Sequence, residues 1–157
     1  MGVLFVCLGN ICRSPTAEAV FRHRAARHGL ADRWLIDSAG TGDYQIGEPP
    51  DVRAIQHARA RGYDLGARRA RQVSTDDFER FDWILAMDRS NLFALDALRP
   101  SAYRGHLGLL LDFAPELGVR DVPDPYEGGA QGFERVLDLI EPACEGLIAR
   151  LSALPRT

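Results

Sequence analysis

The chain is predicted to be α/β, a four-stranded parallel sheet flanked by helices on both faces in a Rossmann-like three-layer arrangement. Three observations predict it. Short apolar runs without polar alternation recur along the sequence, as expected of strands buried on both faces. Stretches of helical periodicity separate these runs, which calls for right-handed crossovers and a doubly wound sheet. The first run also passes straight into a turn and a helix start, Val3-Leu-Phe-Val-Cys7-Leu-Gly9-Asn-Ile-Cys-Arg13-Ser14-Pro15.

Taken in order, Val3–Val6 is the first strand, and Pro15 to about Gly29 repeats apolar Ala17, Val20, Phe21 and Ala25 at helical spacing. Glu18 is assigned to that helix's first turn. Trp34-Leu-Ile36 is a second strand ending at Asp37-Ser38-Ala39-Gly40, followed by a Gly/Pro-rich loop to Pro50 that carries Tyr44. Asp51–Gly62 suits a helix stopped by glycine, and Ser74-Thr-Asp-Asp77 suits an N-cap before a short turn through Arg80. The arginine-rich stretch Arg59–Arg71 reads as a solvated face, with steering of an anion as the alternative. Trp83–Met87 is a third strand, and Asp88-Arg-Ser-Asn opens a helix to about Leu98. His106–Leu111 holds the fourth strand, although Leu109-Leu-Leu111 can equally begin a helical turn. Phe133–Leu151 is a long final helix with Pro142 inside it, a candidate kink.

Composition narrows the function. A chain of 157 residues with no repeats or linkers reads as one domain, 1–157, large enough for a core without disulfides or metals. A formal net charge of −3 argues against a nucleic-acid partner. All 19 basic residues are arginine, which excludes a Schiff-base lysine and the lysine of a Walker-type loop. The 3 cysteines Cys7, Cys12 and Cys144 form neither a disulfide framework nor a C-x-x-C pair, so a reducing cytoplasm is expected. The N-terminus lacks a signal-peptide pattern, and no apolar stretch approaches the ~20 residues of a membrane span. His23, His28, His57 and His106 show no metal-ligand spacing, and the three on helices are expected to be solvated.

The chemistry concentrates after the first strand. Cys7 and Arg13 stand six positions apart, a spacing that composition alone produces in about a third of such chains, so the context carries the weight. A strand delivers the thiol to the carboxyl edge of the sheet, Gly9 permits a tight turn, and the next helix points free N–H groups back at the same place. Those amides of residues 8 to 13, with Arg13, favour a thiolate and equally suit a phosphate dianion, and Ser14 can bond the sulfur. The bland alternative is a buried structural Cys7 with a surface Arg13. Expulsion of an alkoxide or phenoxide needs a proton donor. Asp121-Val-Pro-Asp124-Pro125-Tyr126 offers two carboxyls, with Pro125 stiffening the turn at Asp124.

Val-Cys7-Leu-Gly-Asn-Ile-Cys-Arg13-Ser14-Pro together with Asp124-Pro-Tyr126 resembles the low-molecular-weight protein tyrosine phosphatase family. The resemblance extends over nearly the whole chain, through Asp37-Ser-Ala, Gly47-x-Pro-Pro-Asp51, Ala70-Arg-Gln72, Phe81-Asp and Met87-Asp88-x-Ser-Asn91-Leu in family order. It implies a phosphotyrosine phosphatase I-like fold and hydrolysis of phosphotyrosine proteins and aryl phosphates through a phosphocysteine. Cys7 matches the nucleophile, Arg13 the phosphate-binding arginine and Asp124 the general acid and base. Asn10 and Ser14 match residues that hold the loop and tune the thiolate, and Asp88 an acidic residue behind that network. Leu8, Ile11, Tyr44 and Tyr126 match the walls around an aromatic ester, with Gly9 and Cys12 in the phosphate loop. No metal or cofactor is implied, and a monomer that can self-associate weakly is expected.

Three departures stand out. Ile11 replaces the threonine of a subgroup that dephosphorylates arginine, Glu127 stands where many relatives have a second tyrosine, and Arg68 replaces a frequent histidine. Arg68 is expected either to favour the Cys7 thiolate or to disturb Asp88. Cys12 matches a cysteine that in some relatives forms a reversible disulfide with the nucleophile, against the plainer reading of a small buried residue. Two other functions compete: arsenate reduction, which needs relay cysteines that Cys12 and Cys144 supply poorly, and a non-catalytic phosphate-binding module.

Overall fold

The computed structural model describes residues 1–155, apart from the side chain of Glu127. Strands β1 (Gly2–Cys7), β2 (Leu35–Gly40), β3 (Trp83–Ala86) and β4 (His106–Leu109) form an all-parallel sheet in the order β2-β1-β3-β4. The chain leaves β1 toward one edge and returns across it toward the other. The carboxyl end of β1 is therefore where strand order reverses and a crevice opens.

Helices cover both faces, as a sheet with two apolar faces requires. Alternate residues of β1 point to opposite sides. Val3 and Phe5 join a core under α1 (Arg13–Arg27), α2 (Val52–Ala60) and α5 (Gly129–Ser152), while Leu4 and Val6 join a smaller one that includes Phe78 of α3 (Asp77–Arg80) and Leu95 of α4 (Arg89–Leu98). Phe5 and Phe21 rings lie 5.5 Å apart, as do Phe21 and Trp34. All of Phe5 is buried, so truncation to alanine is expected to cost about 3–5 kcal/mol.

Several expectations are corrected by the structure. The second strand runs on through Asp37–Gly40, because its register places Ala39 opposite Val6 and Gly40 opposite Cys7. The fourth strand stops at Leu109 and Leu110–Phe113 forms a 3-10 turn. The last helix starts a turn earlier, at Gly129, and continues through Pro142. Glu18 lies beyond the first turn of α1, which holds no acidic residue, and is buried.

The arginine-rich stretch is a solvated face only in part: Arg59 and Arg69 are exposed, and the others are paired. Arg61 pairs with Glu134 and Glu141 at 2.7 Å and with Asp138 at 2.9 Å, clamping α5 to the end of α2, and Arg71 pairs with Asp77 at 2.9 Å and Asp37 at 3.1 Å. Arg24 of α1 joins the same α5 face through Glu141 and Glu145. His57 is likewise half-buried, bonded to Glu134 and stacked on Phe133, whereas His23 and His28 are exposed. Two glycines are required by close approach. A Cβ at Gly40 would lie 2.7 Å from the Leu8 carbonyl oxygen, and one at Gly146 would lie 1.9 Å from that of Phe113. Among the described residues, no helix is long and apolar enough to cross a membrane.

Candidate active site

Cys7 is the last residue of β1, and α1 begins at Arg13, so the intervening loop curls back over the sulfur. The Asn10 amide donates to the Cys7 sulfur at 3.2 Å, and the Ser14 hydroxyl lies 3.0 Å from it. The residue in the left-handed region is Asn10, at φ 56°, rather than Gly9. Such a conformation is costly for a residue with a side chain, though asparagine tolerates it better than most. Its amide offsets that cost by donating to Ser14 Oγ at 2.8 Å and Ser38 Oγ at 3.0 Å, while Asn10 Oδ1 accepts from the Arg71 N–H at 3.0 Å. Gly9 instead leaves room for Gln45, whose Cγ would be 3.3 Å from an added Cβ.

Arg13 is buried, and its Nη1 donates to Asp88 Oδ2 at 2.7 Å and to the Val122 carbonyl at 2.9 Å. These two bonds fix the plane of the guanidinium beside the loop. Among the described residues Nε and Nη2 meet no hydrogen-bond acceptor, leaving a fork for an anion. Asp88 follows β3, whose end is adjacent to that of β1, and its other oxygen caps α4 by accepting from the Asn91 N–H at 2.7 Å. Its expected place behind the Asn10–Ser14 network is therefore corrected: it orients Arg13.

Arg68 does not reach Asp88 either. Its Nε forms an ion pair with Glu18 Oε1 at 3.1 Å, without hydrogen-bond alignment, and a second guanidinium nitrogen reaches the Leu65 carbonyl. Glu18 in turn accepts from Ser38 Oγ at 2.8 Å. Ser38 and Glu18 thus stand behind Asn10, a role that the Asp37-Ser-Ala motif signalled only as a match without a function.

Cys7, Leu8, Gly9, Ile11, Cys12 and Arg13 line one side of a cavity of about 270 Å³, with Tyr44 and Gln45 at its rim and Asp124, Pro125 and Tyr126 opposite. Asn10 and Ser14 lie beneath the sulfur instead. Gln45 had no distinguishing sequence signal. The two carboxyls of the acidic segment separate cleanly. Asp121 accepts from the Arg89 N–H at 2.9 Å and pairs with its guanidinium at 2.9 Å, bonds that hold its carboxyl below the usual range. Asp124 lines the cavity, and among the described residues its carboxylate is bonded by the Tyr126 N–H alone, at 3.0 Å.

The cysteines separate as well. Burial pushes the Cys12 thiol up to about 12, opposed by its bond to Tyr126. Cys12 is therefore a neutral donor, its thiol 3.4 Å from the Tyr126 hydroxyl. Cys144 is fully buried in α5, and desolvation raises it further. A surface relay of thiols has no path through it. The side chain of Glu127 lies outside the described residues, so its expected effect on stacking has no structural counterpart.

A family model described as low molecular weight phosphotyrosine protein phosphatase matches residues 2–155. The low molecular weight protein-tyrosine-phosphatase YfkJ of Bacillus subtilis is 44% identical over 151 residues, 96% of each chain. A protein tyrosine phosphatase from Entamoeba histolytica, solved with Hepes in its active site, superposes with a TM-score of 0.92 at 43% identity over 97% of both chains. An arginine phosphatase of Drosophila superposes at 0.90 with 33% identity, covering 99% of this chain and 100% of that one. With the family model matching nearly the whole chain and relatives above 40% identical along its full length, the chain belongs to the low molecular weight phosphotyrosine protein phosphatase family.

Proposed function

We propose that this protein-tyrosine-phosphatase hydrolyses phosphotyrosine in proteins through a phosphocysteine on Cys7, as a single catalytic domain acting in the cytoplasm. The observation that carries the reading is the convergence of Cys7, Arg13 and Asp124 on one cavity. Phosphate oxygens bind the loop amides and the free fork of Arg13, which place phosphorus in line with the sulfur. The Cys7 thiolate attacks, held by the Asn10 amide and the Ser14 hydroxyl. As the S–P bond forms, the bond to the phenolic oxygen breaks, and the Asp124 carboxyl gives that oxygen its proton. The resulting carboxylate then takes a proton from water, the hydroxide attacks phosphorus, and the S–P bond breaks to return the thiolate and release inorganic phosphate. Positive charge for both steps comes from Arg13 and backbone dipoles.

The walls favour an aromatic ester. Ile11 and Leu8 present apolar surface, and Tyr44 and Tyr126 stand at the rim, so a phenyl ring buries more apolar area here than a guanidinium does. The test is hydrolysis of 4-nitrophenyl phosphate, a phosphotyrosine peptide and a phosphoarginine peptide in the presence of a chelator. Turnover of the first two alone is expected. Cys7→Ser should bind the phosphopeptide without turning it over, and full activity in that variant would sink the mechanism.

A further inference from the structure

Asp51 is absent from the chemistry above, yet it touches both sides of the cavity. Its backbone N–H donates to the Ile11 carbonyl of the phosphate loop at 2.8 Å. Its carboxylate Oδ2 accepts from the Tyr126 hydroxyl at 3.0 Å, two residues from Asp124. The other oxygen caps α2 by accepting from the Arg53 N–H at 2.8 Å. The Arg53 guanidinium closes the arrangement, lying 4.9 Å over the rings of both Tyr126 and Phe133 and within 3.4 Å of the Asp51 carboxylate.

We propose that Asp51 is a positioning residue that sets the register between the nucleophile loop and the general-acid segment, holding Asp124 at the leaving-group oxygen through the Tyr126 hydroxyl. The inference rests on the assignment of Asp124 as the acid. Its physical basis is the weakness of the segment itself. Pro125–Glu127 form only one 3-10 turn, and Tyr126 is 45% exposed, so the local backbone supplies little rigidity. Three bonds converge on Tyr126: the Cys12 thiol donates to its oxygen, the oxygen donates to Asp51, and its own N–H donates to Asp124 Oδ1 at 3.0 Å. Asp51 also caps a regular helix, which ties Tyr126 to α2.

The charge states support the geometry. Burial works against an ionised Asp51, but the bonds from Arg53 and Tyr126 outweigh it and hold the carboxyl below its ordinary value. Burial, together with the Cys12 and Asp51 contacts, raises the Tyr126 phenol, which therefore remains a donor at any working pH. The latch is thus a charge-assisted bond that stays made while the enzyme works.

General-acid catalysis matters most for poor leaving groups, which gives the latch a signature that a structural role does not share. The experiment measures kcat/KM for 4-nitrophenyl phosphate and for phenyl phosphate, whose phenoxide leaves poorly. Asp51→Ser keeps a helix cap but is too short to reach Tyr126, and Tyr126→Phe removes the hydroxyl while keeping the ring. Both variants are expected to lose about tenfold on phenyl phosphate, part of the roughly 10²–10⁴-fold general-acid contribution, and less than about twofold on 4-nitrophenyl phosphate. Asp51→Asn, whose amide oxygen can still accept but without charge assistance, is expected to fall between wild type and Asp51→Ser on phenyl phosphate, and a loss as large as that of Asp51→Ser would overturn the bond to Tyr126 as the cause. Equal losses on both esters, or none on phenyl phosphate, would overturn the latch. Asp124→Asn measured beside them separates the two ideas. If it shows no leaving-group-dependent loss, the acid assignment fails and the latch with it; if it does while Asp51→Ser and Tyr126→Phe do not, the latch alone fails.

Discussion

The loop from Cys7 to Ser14 and the segment from Asp121 to Tyr126 face each other across one cavity and are held differently. Part of the loop's support is its own, since its sulfur, Asn10 and Ser14 bond one another between a buried strand and a buried helix turn, and Ser38, Arg71 and Asp51 add bonds from outside. The acidic segment has one short turn of its own and hangs from residues distant in sequence. Arg89 holds Asp121, Met87 and Arg13 hold the two sides of the Val122 backbone, and Asp51 holds Tyr126. The difference has a functional sense. Thiolate and phosphate geometry are needed for every substrate and are built where local sequence can guarantee them, while the acid must meet leaving groups of varying shape at an open rim.

If that contrast is right, changes within the loop should act on all esters alike, and changes to the supports of the segment should act by leaving group. The largest expected effect is Arg13→Lys, which loses the planar fork and cannot serve phosphate, Asp88 and Val122 together. We expect kcat/KM to fall by about 10²–10³-fold for 4-nitrophenyl and phenyl phosphate equally, and a selective loss on phenyl phosphate would break the comparison. Asn10→Ala leaves a left-handed alanine, removes the donor to the Ser14 and Ser38 hydroxyls and takes the acceptor from the Arg71 N–H, so unfolding free energy should drop by about 1–3 kcal/mol, with activity falling on both esters. Chemical denaturation read alongside kinetics checks this.

Arg89→Ala sharpens the other half. It removes the guanidinium from Asp121 while the backbone N–H of residue 89 still holds one carboxylate oxygen, so the upstream end of the segment loosens in part and a loss of about threefold confined to phenyl phosphate is expected. A uniform loss would show that the segment serves binding rather than proton transfer.

The smallest effect on catalysis belongs to the α2–α5 clamp, remote from the cavity. Arg61 and His57 hold Glu134 below the usual carboxylate range. A depressed carboxyl contributes stability that is complete above its unfolded value of about 4.3 and is lost as pH falls through the lower folded value. Arg61→Met should therefore unfold at lower urea than wild type at pH 7, by about 1 kcal/mol given its partial exposure, with the gap closing as pH falls below about 4.3 and activity unchanged. A gap that persists in acid would assign the effect to packing instead.

These supports explain what was legible beforehand. The first strand, the helix after it and the anion loop between them are encoded by adjacent residues, so their pattern is readable in one pass. The match of Asp124-Pro-Tyr126 to a family motif pointed to Asp124, yet the residues alone left Asp121 and Asp124 equivalent. Only the docking of Arg89 removes one of them. Arg61, Arg68 and Arg71 looked like solvated charge because their carboxylate partners lie on other elements. Gly9 was the obvious place for a tight turn, and the structure puts the left-handed residue at Asn10, where three side-chain hydrogen bonds, two of them to residues beyond the loop, make the conformation affordable.

By itself the sequence determined what short-range sterics and hydrophobic period control: an α/β sheet, a thiol at the carboxyl end of its first strand, and an arginine and helix start beyond it. Tertiary structure decided what depends on which side chains meet: that Cys12 is a buried neutral donor to Tyr126, that Asp124 and not Asp121 lines the cavity with Cys7, and that Asp51 bonds both Ile11 and Tyr126. Burial and charge pairing between distant elements set those outcomes, because a thiol's desolvation and a carboxyl's partner are properties of the assembled surroundings and not of neighbours in the chain.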